Sequence, residues 1–181
     1  MAIDTTKLPL RLHHNAYVTR DQETTRHFYE DLIGMPLIAT WAEHATLFGK
    51  ERVYCHTFYG MADGGALAFF QFANEDDQEF FGPKMPHSAF HHLAIKCDPS
   101  TQAEIKGRLE ESDHDPAKRY FIDHGYCGSL YVEDPNGLLL EFTVDPEHVE
   151  KINAARRADA HQTLNRWLAG DHTPNNLDHH D

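Results

Sequence analysis

The chain has 181 residues, 40% of them apolar and 25% charged, the make-up of an ordinary folded protein with a core of its own. Its formal net charge of −13 repels phosphate backbones and argues against a nucleic-acid partner, and no apolar run nears the roughly 20 residues that span a bilayer. Met1-Ala2-Ile3-Asp4 lacks the basic-then-apolar order of a secretory signal, and the scattered Cys55, Cys97 and Cys127 suit free thiols, so the expected location is the cytoplasm.

In chain order, Arg11 to Val18 reads as a strand. Asp21 then caps a predicted helix over QETTRHFYEDLI, whose Phe28, Tyr29, Leu32 and Ile33 fall at helical spacing and which Gly34 ends. Three strand-like segments follow, near Pro36 to Trp41, Arg52 to Tyr59 and Ala66 to Phe72. Residues 74–88 are polar, contain prolines and read as a connector. A strand from Ala89 to Lys96 precedes a helix over 99–112 with Pro99 at its start. Strands are then expected near Arg119 to Ile122, Gly128 to Val132 and Leu138 to Val144, and a helix from about Pro146 to Leu168. The last dozen residues read as a loose tail in which His172, His179 and His180 face solvent.

The order strand, helix, three strands therefore occurs twice, in modules over about 11–73 and 89–144 of a single domain. LHHNAYV at Leu12 and FHHLAIK at Phe90 each set a His-His pair before an alternating apolar segment, and the second histidines lie 92 − 14 = 78 residues apart. Each module ends on an apolar strand with one polar residue, Gln71 in ALAFFQF and Glu141 in LLLEFT. On this reading Gln71 is the counterpart of Glu141 and lies near the same site as a weak ligand or close neighbour, with Phe70 and Phe72 facing away.

A carboxylate among Leu138, Leu139, Leu140 and Phe142 is costly to bury unless paired or coordinated; otherwise Glu141 sits on an edge strand and points into water. A lone His-His pair is usually one surface and one core residue, but two pairs at matched positions point to a site. His14, His92 and Glu141 would make a set of two imidazoles and one carboxylate, a facial triad with positions left open. That set suits Fe(II) in dioxygen chemistry and can also hold Mn, Ni or Zn as a Lewis acid.

HHNAYVTRDQETTRHFYEDLIGMPL at His13, FHHLAIKCD at Phe90 and SLYVEDPNGLLLEF at Ser129 together resemble the vicinal oxygen chelate superfamily, which includes glyoxalase I, fosfomycin-resistance proteins and type I extradiol dioxygenases. The resemblance covers about Leu12 to Val144. It implies an α+β fold of two βαβββ modules forming a cupped, half-open barrel around the metal, here with a C-terminal helix added, and His14, His92 and Glu141 as ligands. DHGYCGSLYVEDPNG looks most like the ring-cleaving members, which place a tyrosine ten residues before the glutamate. Tyr131 (141 − 10 = 131) holds that place and His124 is the acid-base candidate, though one could be a plain strand aromatic and the other a loop histidine. The resemblance thus implies an extradiol-type dioxygenase acting on a catecholic diol through Fe(II), with Phe28, Tyr59, Phe69 and Tyr120 either lining the pocket or in the core. The alternatives are a redox-neutral glyoxalase-like or fosfomycin-resistance-like enzyme using Ni, Zn or Mn, and a metal-free binder of the bleomycin-resistance kind. The expected partners are a small-molecule substrate and a second copy in a homodimer, and the C-terminal helix with Trp167 and Leu168 could cap the barrel or join two copies.

Overall fold

The computed structural model describes residues 9–85 and 88–176, so His179 and His180 lie outside the described residues. The chain divides into two compact units, Met1–Pro86 with Asp134–Gly137, and His87–Glu133 with Leu138–Asp181.

The first unit runs β1 (His14–Val18), α1 (Gln22–Arg26, continuing as a π-helical turn over His27–Ile33), β2 (Leu37–Leu47), β3 (Lys50–Gly60), β4 (Ala66–Phe72) and α2 (Glu75–Phe81). Its sheet has the order β1-β4-β3-β2, with β1 parallel to β4 and the other pairs antiparallel. Asp21 caps α1 by accepting from Thr24 N, and Gly34 ends the helical stretch at φ 88°, a left-handed conformation that costs glycine little. The sequence predicts one α-helix here; the structure widens its second half into π turns. In that geometry Arg26 reaches Glu23, Glu30 and Asp31 at once, while Phe28, Tyr29 and Ile33 are buried. Tyr29 packs against Phe69 at 4.8 Å, and Tyr59, Leu67 and Phe69 are fully buried as well. Tyr29 stacks on Tyr59 at 5.3 Å and donates from its hydroxyl to Asp134 at 3.0 Å.

Two stretches differ from expectation. β2 and β3 are each 11 residues long, joined through Phe48 and Gly49, both at positive φ as a tight hairpin turn requires. One face of β2 is exposed along its length and the other is only half-buried, with Glu43, Ala45 and Leu47 on it, so no apolar alternation marked its far half. The connector contains α2, capped by Asn74 and opened by Glu75, Asp76 and Asp77, which suit the positive end of the helix dipole. Asp77 is buried and held by Lys50 at 3.0 Å and Arg52 at 3.2 Å, so this helix depends on caps and ion pairs and shows no apolar stripe.

The second unit repeats the order: β5 (His92–Lys96), α3 (Pro99–Glu111), a short 3-10 turn, β6 (Arg119–Asp123), β7 (Gly128–Glu133) and β8 (Leu139–Val144), then α4 (Val149–Leu168). The sheet order β5-β8-β7-β6 matches the first sheet strand for strand, again with its outer pair β5 and β8 parallel. Asp98 caps α3, and Ile105 and Leu109 pack with the apolar face made by Leu130, Val132, Leu140 and Phe142. α4 starts three residues later than predicted and buries none of its side chains; Leu164, Trp167 and Leu168 are more than half exposed. Among the described residues no helix is long and apolar enough to cross a membrane, and all three cysteines are free.

Candidate metal centre

Strand register fixes which side chains share a face. In the second sheet Ala94 pairs with Glu141 and Glu141 with Tyr131, which in turn pairs with Tyr120. His92, Glu141, Tyr131 and Ser129 therefore project from one face, opposite the face that packs under α3. Glu141 is buried, only 6% exposed. Its Oε2 lies 2.9 Å from His92 Nε2, and its Oε1 accepts from Ser129 Oγ at 2.6 Å. His92 Nδ1 donates to the Ala89 carbonyl at 3.1 Å.

That last bond sets the chemistry of the ring. A neutral imidazole carries one N–H, and here it is directed to Ala89, so Nε2 presents a lone pair toward a carboxylate. Two acceptors facing each other at 2.9 Å need a cation or a proton between them. A divalent metal with imidazole and carboxylate ligands meets that need, and a backbone carbonyl on the far nitrogen is the usual support of a metal-bound histidine. These two residues fit such an ion.

Tyr131 and His124 are brought together beside this pair. His124 Nε2 lies 3.0 Å from the Tyr131 hydroxyl, and the Tyr131 ring packs edge-on to His92 at 5.6 Å and face-on to Tyr120 at 4.8 Å. Burial, followed by the Glu141 carboxylate, pushes the Tyr131 phenol well above its ordinary value. It stays protonated at neutral pH and available as a donor. Ser129 was missed from the sequence, although the hairpin signal at Asp134-Pro135-Asn136-Gly137 fixes the pairing that brings it near Glu141.

His14 belongs to the first unit. Its Nδ1 lies 2.8 Å from His13 Nδ1, its ring meets Phe58 edge-on at 5.6 Å, and Nε2 is the nitrogen left for a ligand. His14, Ala68, Phe58, His56 and Phe70 share one face of the first sheet. Among the described residues no group of three or more His, Cys, Asp or Glu is gathered closely enough to hold a metal. The structure thus assembles two of the three expected ligands, His92 and Glu141.

Gln71 requires a correction. His14 pairs with Ala66, and its counterpart His92 pairs with Leu139, a shift of 139 − 66 = 73 between the last strands. The counterpart of Glu141 is therefore 141 − 73 = 68, Ala68. Gln71 lies three residues further on, an odd step that turns it to the helix-packed face opposite His14. There its Oε1 accepts from Gln22 N at 3.3 Å and its Nε2 donates to the Arg20 carbonyl at 3.2 Å, fastening the start of α1. Phe28, Tyr59 and Phe69 are likewise core residues of that helical face; of the four aromatics considered for a pocket only Tyr120 lies on the site face.

A family model described as the Glyoxalase/Bleomycin resistance protein/Dioxygenase superfamily matches residues 11–142. Among solved structures, the chain resembles the fosfomycin resistance protein FosX from Mesorhizobium loti at TM-score 0.55 and 16% identity, covering 81% of this chain and 99% of that one. It also resembles a mutant FosX from Listeria monocytogenes, complexed with Mn(II) and 1S,2S-dihydroxypropylphosphonic acid, at TM-score 0.53 and 15% identity over 75% and 92% of the two chains. A glyoxylase/bleomycin resistance protein/dioxygenase domain from Frankia sp. matches at TM-score 0.54 and 14% identity over 80% and 99%. At these identities the likeness is one of fold. No curated protein matches the sequence.

Proposed function

Because the chain belongs to the glyoxalase/bleomycin resistance protein/dioxygenase superfamily, we propose that it is a metal-dependent enzyme that cleaves a catecholic ring with dioxygen in the extradiol manner. In this reading His14 from the first unit, with His92 and Glu141 from the second, holds one divalent ion, Fe(II) in first place and Mn, Ni or Zn as alternatives. The observation that carries it is the buried Glu141 carboxylate 2.9 Å from His92 Nε2, on one sheet face with Tyr131, whose hydroxyl meets His124.

When bound, such an ion would supply a Lewis acid with positions open to both diol oxygens and to dioxygen. The rest is work for this chain's own groups. Ser129 holds Glu141, and the Ala89 carbonyl holds the His92 ring, so both ligand atoms are oriented before anything binds. Tyr131 keeps its proton and can donate to an oxygen of the bound diol. His124 can take the proton that a substrate hydroxyl gives up and return it later, as a general base and then a general acid. Tyr120 stacks on Tyr131 and limits how its phenol can turn.

A second reading is a redox-neutral enzyme using Mn, Ni or Zn. It draws on the fold shared with FosX, one structure of which is a complex with Mn(II) and 1S,2S-dihydroxypropylphosphonic acid. Anaerobic reconstitution with Fe(II), followed by oxygen-electrode assays over catechols, hydroquinones and related diols, separates the two. Oxygen uptake with a yellow ring-cleavage product is the expected result. No uptake from any diol, with turnover of an epoxide or a thiol adduct in the presence of Mn, Ni or Zn, would transfer the assignment to the second reading.

A further inference from the structure

The second unit contains a cavity of about 630 Å³ lined by residues 125–126, 148, 151–153, 155–156 and 175–176. Its helical wall is α4, where His148, Lys151, Ile152, Ala155 and Arg156 recur at three- and four-residue steps and so form one face. The opposite wall is Tyr126, whose ring stacks on His124 at 5.6 Å. The tail after α4 turns back to close the space. Arg166 donates to the Thr173 carbonyl at 2.9 Å, and Asn176 donates to the His124 carbonyl at 3.0 Å, which sets Asn175 and Asn176 at the rim.

The lining is unusual for this chain. The protein carries a formal charge of −13, yet this cavity gathers Lys151, Arg156 and a histidine, with no carboxylate among the described residues that line it. Lys151 has no ion-pair partner among the described residues, and Arg156 spends one nitrogen on Asp159 at 3.1 Å in an exposed pair of small worth, leaving further N–H groups to donate. Donors of this kind, with three Asn amides, match a carboxylate. The Tyr126 ring, Ile152 and Ala155 offer an apolar surface for a flat ring. Tyr126 stacks on His124, which meets the Tyr131 hydroxyl at 3.0 Å, so the cavity borders the candidate centre.

We propose that this cavity is the specificity subsite of the enzyme and takes the carboxylate of an acidic aromatic substrate, through Arg156 and Lys151. The inference rests on the ring-cleavage reading for the diol end of that substrate, while the carboxylate end stands on the cavity alone. Acidic catechols are then preferred to catechol itself, and the reaction that supplies the substrate is one that leaves an aromatic carboxylate dihydroxylated.

The test is calorimetric binding of protocatechuate, catechol and benzoate to the full chain, alongside the oxygen-electrode assay. Benzoate should bind and should compete with protocatechuate. The doubly substituted Lys151→Gln, Arg156→Gln protein should lose about tenfold or more in affinity for both acids with catechol unaffected. Both side chains are exposed, so the variant should keep its circular dichroism; the single Arg156→Glu exchange, which reverses the charge, should weaken the acids further still. Benzoate that fails to bind, or acids whose affinity neither variant changes, would overturn the subsite even if catechol consumes oxygen. Benzoate binding lost in the variants, with no oxygen uptake from any diol, would keep the subsite and remove the ring-cleavage reading alone.

Discussion

Each module places a first-strand histidine edge-on to an aromatic ring two strands away, His14 to Phe58 and His92 to Tyr131, in both cases at 5.6 Å. The residue on the strand between them is Ala68 in the first module and Glu141 in the second. One pairing further along, Phe70 faces His56 in the first, and Thr143 faces Ser129 in the second. The backbone is the same twice, but the polar equipment is not. In the first module His56 lies flat on Phe70 at 3.6 Å with its Nε2 buried and unbonded among the described residues, and burial lowers its affinity for a proton. In the second, Ser129 stands where His56 does and donates to Glu141, the counterpart of Ala68. A duplicated scaffold can thus keep one first-strand histidine in each copy while placing the buried carboxylate and the Tyr131–His124 pair in a single copy.

The largest effects should come from breaking the shared element of that comparison. Glu141→Ala and His92→Ala should each reduce stoichiometric metal to background, read by metal analysis after dialysis. His14→Ala should do the same if the first module lends its histidine to the ion. Metal retained in His14→Ala but lost in His92→Ala would mean that the second module binds alone and the first is scaffold. Next come Tyr131→Phe and His124→Gln. Each should lower turnover by about 10²–10⁴-fold, the scale of a lost acid-base group, with metal content intact. Equal loss of metal and turnover in either variant would make these residues supports of the site with no part in proton transfer. Ser129→Ala should be milder, weakening metal affinity by about 10–100-fold, since it removes the donor that orients a ligand and leaves the ligand itself.

How much of this was legible depended on parity. The histidine strands and their repeat were visible because a His-His pair before alternating apolar residues survives in both copies. Tyr131 opposite Glu141 was visible because the Asp134–Gly137 turn fixes the register of the hairpin. The mistaken equivalence of Gln71 with Glu141 came from matching polar residues by their place within an apolar run. Register shifts the last strands by 73 residues while the first strands shift by 78, and a one-residue error in such a count is enough to exchange the faces. The helix after Asp21 was visible, but its apolar residues fit α-helical spacing and so gave no sign of the π turns after Arg26; the far half of β2 and the connector helix α2 had no apolar period to announce them, and a two-residue turn, an Asn cap and ion pairs hold them instead. The cavity beside α4 was invisible for a different reason. It depends on the tail folding back to His124, a contact between residues 52 positions apart.

The smallest effect is the most direct check on the corrected register. If Gln71 faces α1, its loss is a matter of stability alone. Gln71→Ala removes the acceptor for Gln22 N and the donor to the Arg20 carbonyl. Neighbouring bonds remain, because Gln22 Nε2 still donates to the Phe69 carbonyl at 3.1 Å and Thr57 still donates to Gln22 Oε1 at 2.8 Å. Both lost bonds are long and the side chain is only half-buried, so water can replace part of what is removed. The cost should be about 1 kcal/mol, the ordinary net worth of such bonds, and in a protein of this length it corresponds to a fall in Tm of roughly 2–4 °C. Metal content and the affinity for a catechol should be unchanged. If instead Gln71 lay on the face of His14, the same substitution would leave Tm nearly unmoved and alter metal binding, and the register that makes Ala68 the counterpart of Glu141 would have to be abandoned.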